Sequence, residues 1–337
     1  MEYILLVWPH ANVRYQKESE RLALHELVCM LRRTQQDVQC APAEKFFLPA
    51  ISIRTETPLN AKSLTAISLH SLLYGLFRRD GDALYPLLGR KGAYLGEDLP
   101  GILKYKGKTN ELFTAMTLNM ALYSGAFAAN VQEKLHIFDP MCGKATALFV
   151  AANRGYDTTG MDTDKNELNE AEKFFKRYLE YNKFKHTLRQ KSLTIQGGKS
   201  APVACFRYAD APDAFVESDA PCLQLVTGDC RDARRALGKE KFHAIVCDLP
   251  YGVQHAPHGG SIQQLLENAL PAWRETLKSG GTCAISYNID TLPRKTIQRI
   301  MENSGFAVLT GEAYDHLTHW VEQAVTRDVI VGIKEKQ

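Results

Sequence analysis

Acidic residues follow apolar, strand-like runs at several places in the second half of this sequence, and the first of them is Asp139. It opens a turn that leads into a predicted helix at 144–154; the turn reads Asp139-Pro140-Met141-Cys142-Gly143. Glycine lets a ligand approach the backbone closely, and the start of a helix offers free N–H groups that attract a carboxylate. Because Asp139 can also accept from an ammonium group, the turn suits the methionine end of S-adenosylmethionine (SAM).

Two further acids extend the same predicted site along the next strands. Asp162 ends the following strand, 23 positions after Asp139. An acid about 20 residues beyond a glycine turn suits hydrogen bonds to ribose hydroxyls. Asp164 is instead the predicted N-cap of the helix at 165–182. Asp229 ends a third strand, where its carboxylate can accept from an adenine amino group, although an isolated Asp in that position is ordinarily a turn residue.

The fourth acid belongs to a segment that ends a fully apolar strand, Asp248-Leu249-Pro250-Tyr251-Gly252. An exocyclic amine on a nucleic-acid base is a poor nucleophile because its lone pair is delocalised into the ring. Acceptors on both N–H bonds draw the lone pair back, and the Asp248 carboxylate and the Leu249 carbonyl can be those acceptors. Asp248 can then take the released proton. Tyr251 offers a ring for stacking a flipped base, so the segment predicts methyl transfer to an amine; a tight turn with a buried Tyr is the alternative.

These segments together resemble the class I SAM-dependent amino-methyltransferases. The matching residues are the turn from Asp139 to Gly143 with Thr146, then Gly160-Met161-Asp162, Gly228-Asp229 and the segment from Asp248 to Gly252. Within that class the chain is most similar to the THUMP-associated tRNA guanosine-N2 methyltransferases, over roughly residues 105–337. The resemblance implies a Rossmann-type fold, SAM as cofactor and guanine N2 in tRNA as substrate. It also implies a larger set of cofactor-binding residues: Asp139, Pro140, Cys142, Gly143, Thr146, Asp162, Asp229, Thr109 and Asn110.

The chain departs from that family's pattern in three places. Lys144-Ala145 stands where the family usually has Ser-Gly, which makes the cofactor turn less permissive. Leu249 stands where a second proline is usual, but it keeps the carbonyl acceptor, and Pro250 still favours an extended residue 249. The first 100 residues are too short for a whole THUMP-containing region.

The order of predicted elements divides the chain into two parts. Residues 1–100 read as β-α-β-β-α-β, which predicts a small α+β, ferredoxin-like domain that an RNA-recognition role would suit. A hairpin in it should turn at Asp80-Gly81. From residue 105 to 337, strands and helices alternate, as in a doubly wound α/β sheet whose ligands lie beyond the carboxyl ends of its strands. A hairpin inserted near 183–221, with its turn at Gly197-Gly198, interrupts the alternation.

Composition sets broader limits. Lys and Arg exceed Asp and Glu by only 41 to 38, so a nucleic-acid surface would have to be local. One basic cluster could follow phosphates or be the solvated face of an amphipathic helix: Lys173, Lys176, Arg177, Lys183, Lys185, Arg189 and Lys191.

No apolar run approaches the ~20 residues of a membrane span, and residues 1–9 read as a strand rather than a signal peptide. Eight cysteines without a CxxC pair indicate core thiols, a reducing cytoplasmic setting and no zinc or other metal site.

Three functions therefore stay open at this stage. The first is a tRNA guanosine-N2 methyltransferase, with nucleic acid as substrate and no membrane partner. The second is an amino-methyltransferase acting on DNA or on protein glutamine. The third is a non-catalytic RNA-binding protein on a degenerate methyltransferase fold, which Lys144, Ala145 and Leu249 would favour. His255 and His258 lie in the loop that follows Tyr251. They could contact the substrate or have no specific role.

Overall fold

The first strands and helices of the computed structural model follow the order that the sequence predicts. The structure describes residues 1–9, 13–44, 47–195, 199–216, 218–250, 261–322 and 325–335. The first elements are β1 (Glu2–Val7), α1 (Val13–Leu31), β2 (Gln39–Pro42), β3 (Ala50–Arg54), α2 (Ala61–Ser68), β4 (Leu73–Asp80) and β5 (Ala83–Leu88). They form an antiparallel sheet in the order β2-β3-β1-β4-β5, in which the first four strands have the ferredoxin-like arrangement. The predicted ferredoxin-like fold is confirmed.

Strand β1 is buried on both faces, which explains its unbroken apolar sequence. Leu5 lies in a cluster with Leu27 of α1 and Ile67 of α2, whereas its neighbour Leu6 lies in a second cluster on the opposite face. Successive side chains of a strand point to opposite faces, so β1 is covered on both sides, and it is the central strand of the five. At the predicted hairpin turn between β4 and β5, Gly81 has a φ of +58°, a conformation that glycine adopts without a steric penalty.

The two units are joined by a short helix, α3 (Leu99–Ile102), and a longer one, α4 (Glu111–Ser124). The side chain of Asn110 accepts from the N–H groups of Leu112 and Phe113 at the start of α4, so Asn110 is the N-cap of this helix. Every residue from Phe113 to Ser124 is buried. A helix that is buried all round belongs to the interior, and α4 packs against α1 on one side and against the larger sheet on the other.

The remaining elements form a second, mixed sheet with helices on both faces. Those before the insertion are a 3-10 turn (Ala128–Asn130), β6 (His136–Asp139), α5 (Thr146–Ala152), β7 (Asp157–Asp162) and α6 (Lys165–Tyr181). Those after it are β10 (Cys222–Thr227), a 3-10 turn (Cys230–Asp232), α7 (Ala233–Leu237), β11 (Phe242–Asp248), α8 (Ile262–Thr276), β12 (Leu277–Asn288), α9 (Arg294–Asn303), β13 (Ala307–Val308), β14 (His319–Glu322) and β15 (Val325–Ile333).

The insertion is a hairpin that extends this sheet. Its strands are β8 (Lys185–Ile195) and β9 (Lys199–Ala209), followed by a 3-10 turn (Pro212–Ala214). β9 pairs antiparallel with β10. The hairpin therefore covers the edge that β10 would otherwise expose. The predicted turn at Gly197-Gly198 lies outside the described residues.

The strand order of the larger sheet is β13-β15-β12-β11-β6-β7-β10-β9-β8, with β14 paired to β15. The five strands β12, β11, β6, β7 and β10 run parallel, and β15 runs antiparallel to β12. The chain moves outward from β6 to β10 in one direction and from β11 to β12 in the other. The order therefore reverses between β6 and β11, and ligands of such sheets bind at this switch point, beyond the carboxyl ends of the strands. This is the Rossmann-type architecture that the sequence predicts.

The ferredoxin-like unit shares a core with the larger one. Cys29 and Met30 of α1 lie in the same apolar cluster as Met120 of α4 and Val331 of β15. A buried polar network crosses the same contact, because the Glu26 carboxylate accepts from the side chain of Asn119 and from the backbone N–H of Ser71, at 2.9 Å for the latter. Packing and hydrogen bonds thus join the two units along α4.

The structure shows where the cysteines lie and how long and apolar the described helices are. Seven of the eight thiols are buried and Cys40 is half-buried, so the prediction of core cysteines is confirmed. Within the described ranges, none of the helices combines the length and the apolar character that a bilayer crossing requires.

Candidate active site

Three of the predicted acids lie at neighbouring strand ends around the switch point. Asp139 ends β6 and Asp248 ends β11, and these strands pair directly through Phe138 and Ile245. Asp162 ends β7 on the other side of β6, where Asp139 pairs with Gly160. Because carboxyl ends of parallel strands meet at one edge of a sheet, the three carboxylates share that edge.

The turn after β6 is held against β7 by backbone hydrogen bonds. The Cys142 N–H donates to the Met161 carbonyl at 3.1 Å, and the Gly143 N–H donates to Asp162 Oδ2 at 2.8 Å. Asp162 Oδ1 accepts from the Asp164 N–H at 2.9 Å. Asp162, which the sequence predicts as a ribose ligand, thus also fixes the glycine turn, and a carboxylate has about four acceptor positions for both tasks.

Two glycines at this turn serve different needs. A Cβ on Gly160 of β7 would lie 2.5 Å from Leu148 Cδ1 and 2.6 Å from Cys142 Sγ, so only glycine lets the turn and α5 approach the strand. A Cβ on Gly143 would meet nothing closer than Glu167 Oε2 at 3.9 Å, but φ is +47° there. Gly143 therefore supplies a left-handed conformation beside open space, where a ligand can reach the backbone.

Helix α5 is shorter than the predicted 144–154, because Ala145 does not join it. Ala145 has a φ of +69° and a ψ of 26°, and the helix begins at Thr146. A left-handed conformation costs a non-glycine residue roughly 1–2 kcal/mol. Ala145 is therefore strained, and the strain lies at the edge of the site. Pro140 is buried in the turn, and Thr146 is half-buried.

Burial and neighbouring acids raise the proton affinity of Asp139. Asp139 is 3% exposed and accepts from the Met141 N–H at 3.1 Å. Burial raises its pKa well above the ordinary value, and the nearby carboxylates of Asp248 and Asp162 raise it further. Like charges in a poorly solvated site disfavour joint ionisation, and a cationic ligand would relieve this.

A residue that the sequence reasoning did not identify, Tyr105, lies between the glycine turn and Asp248. Its hydroxyl is 2.9 Å from Thr146 Oγ1, and the Lys144 ammonium lies 5.0 Å from its ring centroid. Burial raises the pKa of Tyr105 to about 12, with Asp248, Glu167 and Asp139 contributing. The only sequence signal was its position four residues before Thr109, an expected cofactor ligand.

Asp248 is held by hydroxyl groups on both carboxylate oxygens. Ser286 Oγ donates to Oδ1 and Thr109 Oγ1 donates to Oδ2. Ser286 is the direct partner of Asp248 on β12, and Thr109 immediately precedes the N-cap of α4. Thr109, expected among the cofactor ligands, contacts the predicted catalytic acid. Behind it, Arg327 of β15 donates from Nη2 to Thr109 Oγ1 at 3.1 Å. Neither Ser286 nor Arg327 was identified from the sequence.

The rest of the predicted catalytic segment is only partly described. The Leu249 N–H donates to the Ser286 carbonyl at 2.9 Å, so the chain stays extended for one residue beyond β11, as a residue before proline should. The Leu249 side chain is buried and Pro250 is half-buried. Tyr251, Gly252, His255 and His258 lie outside the described residues.

Two other expected ligands, Asp229 and Asn110, and the predicted N-cap Asp164 have identified partners. Asp229 caps the turn after β10, and its carboxylate oxygens accept from the Arg231 guanidinium, at 2.9 Å for Nε–Oδ1; this pairing lowers the pKa of Asp229. Asn110 uses its side-chain oxygen to cap α4. Asp164 accepts from the N–H groups of Asn166 and Glu167, which confirms the predicted N-cap of α6.

Helix α6 carries part of the basic cluster on its solvated face. Its predicted apolar stripe is buried, whereas Lys173, Lys176 and Arg177 are exposed. Lys176 lies 3.8 Å from Glu180. Exposed pairs of this kind contribute little to stability, and the geometry is that of an ordinary amphipathic helix.

Comparisons with known proteins give structural similarities of low identity. No protein-family model matches the sequence, and no curated protein sequence matches it. One similar solved structure is a TehB-like SAM-dependent methyltransferase from Corynebacterium glutamicum, with 16% identity, a TM-score of 0.36 and coverage of 60% of this chain and 80% of that chain. Another is a 16S rRNA (adenine(1408)-N(1))-methyltransferase from Catenulisporales acidiphilia, with 15% identity, a TM-score of 0.37 and coverage of 62% and 90%. A magnesium protoporphyrin IX methyltransferase from Synechocystis has 10% identity, a TM-score of 0.41 and coverage of 70% and 88%.

Proposed function

We propose that this chain is a SAM-dependent N-methyltransferase that acts on an exocyclic amino group of a nucleic-acid base. One observation carries the proposal: the carboxylates of Asp139, Asp162 and Asp248 lie at adjacent strand ends around the point where the strand order reverses. These acids must share one site for SAM and the amine to meet there, and an arrangement around separate cavities would leave the proposal without a basis.

The residues at this edge fit SAM by charge and by shape. SAM carries a sulfonium and an ammonium, and the buried carboxylate of Asp139, with Asp248 and Asp162 close enough to raise its pKa, suits cationic groups. The open space beside Gly143 suits a ligand that approaches the backbone. In this proposal Asp139 and the turn from Pro140 to Gly143 bind the amino-acid end, Asp162 binds ribose, and Thr146 lines the site.

The proposed contact between Asp229 and adenine must be compatible with the existing contact between Asp229 and Arg231. Asp229 is proposed to accept from the adenine amino group, but its carboxylate already accepts from Arg231. Oδ1 already accepts from the backbone N–H and the Nε of Arg231, and Oδ2 accepts from Nε and Nη2, so the adenine amino group must take over one of these acceptor positions. Replacing Arg231 by Ala should therefore keep or raise SAM affinity if Asp229 makes the proposed contact, and a loss of more than about threefold would contradict it.

Bound SAM would supply an electrophilic methyl group, so the protein's own task is to hold and activate the amine. The Asp248 carboxylate and the Leu249 carbonyl are the proposed acceptors for the two N–H bonds, and Asp248 takes the proton that the methylated amine releases. The hydroxyl donors Thr109 and Ser286 fix the plane of the Asp248 carboxylate. Catalysis of this kind rests mainly on positioning. Pro250 keeps Leu249 extended, and Tyr251 is the proposed stacking surface.

Guanosine N2 in tRNA is the substrate that we propose. The support is the resemblance of residues 105–337 to the THUMP-associated family and the presence of a ferredoxin-like unit that could help to hold RNA. We also propose a cytoplasmic location, because thiols buried as free cysteines are typical of reducing compartments.

The first experiment is calorimetric titration of the protein with SAM. A dissociation constant in the micromolar range would support the cofactor site, and no measurable binding would refute both enzyme proposals and leave the RNA-binding one.

The second experiment is nucleoside mass spectrometry of tRNA from a deletion strain. Loss of N2-methylguanosine would support the proposed substrate. An unchanged amount would refute it, and methylation of DNA or of protein glutamine by the purified enzyme would then identify the alternative.

A further inference from the structure

We infer that Arg327 is a positioning residue for Asp248 and acts through the hydroxyl of Thr109. This inference rests on the proposed function, because it concerns the carboxylate that is to hold the amine. Arg327 Nη2 lies 3.1 Å from Thr109 Oγ1, and Thr109 Oγ1 donates to Asp248 Oδ2. The three side chains thus form a line from a cation through a hydroxyl to a carboxylate.

The strands explain how these groups meet. Asp248 of β11 pairs with Ser286 of β12, and Asn288, two residues further along β12, pairs with Arg327 of β15. Residues two apart on a strand share a face, so Asp248, Ser286 and Arg327 lie on one face of the sheet. Helix α4 packs on β11, β12 and β15 and brings Thr109 over this face.

Hydrogen-bond direction gives the arrangement its specificity. A guanidinium has only donors, so Thr109 Oγ1 must be the acceptor in its contact with Arg327. A threonine hydroxyl has a single proton, and with an oxygen lone pair already engaged that proton is directed at Asp248. Arg327 therefore fixes the rotation of the hydroxyl. Ser286 donates to the other carboxylate oxygen, and two donors from two elements define the orientation of the carboxylate plane.

Burial makes the arrangement unusual for a purely structural pair. Arg327 is 5% exposed and Thr109 is 7% exposed, and the guanidinium carbon lies 4.9 Å from the ring centroid of Phe113. Removing a guanidinium from water is costly, and sequences rarely keep one inside an apolar strand without a specific partner. Hydrogen bonds are also stronger in such surroundings. The neighbouring Asp328 points to the opposite face of β15, where it pairs with Arg294 at 2.6 Å, so it does not explain Arg327.

The test is a double-mutant cycle in the full-length enzyme with SAM and tRNA. The variants are Thr109→Val, which keeps the shape and removes the hydroxyl, Arg327→Met, and both together. Each single change should lower kcat roughly tenfold, the worth of one hydrogen bond to a charged group, with the SAM dissociation constant unchanged within about twofold. The double variant should be no slower than the slower single one, because both changes break the same line of contacts.

Two further variants separate positioning from general stability. Thr109→Ser keeps the hydroxyl and should restore kcat to near the wild-type value. Arg294→Met removes a partly buried arginine that pairs with Asp328 on the other face; it should lower thermal stability and leave kcat nearly unchanged. Independent, multiplicative losses in the double variant would overturn the inference. So would a large loss of SAM affinity in Thr109→Val, which would make Thr109 a cofactor ligand.

A failure of the proposed function would look different, since the wild type itself would then transfer no methyl group. The contact can still be measured in that case by thermal unfolding. Thr109→Val should lower the melting temperature more in the wild type than in an Asp248→Ala background, where the hydroxyl has lost its acceptor and keeps only its contact with Arg327. Equal losses in both backgrounds would refute the link between Thr109 and Asp248 without reference to activity.

Discussion

Replacing Gly160 with alanine would place a methyl group where the structure has no room. The added Cβ would lie 2.5 Å from Leu148 Cδ1, 2.6 Å from Cys142 Sγ and 2.9 Å from Cys142 Cβ. Separations below 3.0 Å are essentially never seen for a real Cβ, so the turn, helix α5 or both must move. Overpacking of this kind costs roughly 1–3 kcal/mol.

Movement of the turn has a second cost. It would weaken the contacts from the Cys142 N–H to Met161 O and from the Gly143 N–H to Asp162 Oδ2, each worth about 1 kcal/mol net. We therefore expect Gly160→Ala to lower the free energy of unfolding by about 3 kcal/mol. Because the displaced turn also carries the proposed cofactor contacts, SAM should bind at least about tenfold more weakly.

Gly228 provides a matched control for stability. It follows the next strand, β10, and an added Cβ would meet nothing closer than Met161 Cε at 3.7 Å, an ordinary contact distance. Gly228→Ala should change the free energy of unfolding by less than about 0.5 kcal/mol. Urea denaturation followed by circular dichroism and calorimetry with SAM would measure both effects. Equal stability of the two variants, or normal SAM binding by Gly160→Ala, would refute the proposed role of the close contact between turn and strand.

Three further predictions follow from the site and the core. Burial and neighbouring acids raise the pKa of Asp139, so the native state binds its proton more tightly than the unfolded chain and loses stability as pH rises from the unfolded pKa through the folded one. In urea denaturation at pH 8, Asp139→Asn should therefore be more stable than wild type by about 1 kcal/mol, with no gain near pH 3. The variant should also bind SAM more weakly. Lower stability than wild type at pH 8 would contradict this prediction. Asp248→Ala should abolish turnover in a tritiated-SAM assay and keep SAM affinity within about threefold, and retained turnover would show that another group is the proton acceptor. Glu26→Ala should cost about 3 kcal/mol by urea denaturation, because the fully buried Asn119 amide loses its carboxylate partner; a loss below about 1 kcal/mol would argue against the network.

The fold was predictable because local patterns agreed with it nearly everywhere. The apolar strand predicted to lead into Asp248 matches β11, and the helix predicted at 165–182 matches α6 to within a residue. The sequence could not place the hairpin of β8 and β9 at the edge beside β10, because strand pairing is a long-range choice. The sequence pattern also did not predict the short strand β14.

The sequence predicted only those site residues that belong to a local motif. Asp139, Asp162 and Asp248 follow strands and are visible in the sequence, whereas Ser286 and Arg327 matter through pairing across β12 and β15. A sequence signal for Arg327 did exist, since a charged Arg-Asp pair interrupts an otherwise apolar strand, and a charge in such a strand needs a buried partner. Identifying that partner as Thr109, 218 positions earlier, required the structure.

The shared core along α4 bears on how the chain can be divided. A cut near residue 104 looks natural in the sequence because glycines and lysines surround it. Each fragment would nevertheless expose a face that is interior in the whole chain: α1 would lose its cover over Cys29 and Met30, and α4 would present apolar side chains and the amide of Asn119 to water. Fragments made at that point should be prone to self-association, and complementation by co-expression would be the practical way to study either half.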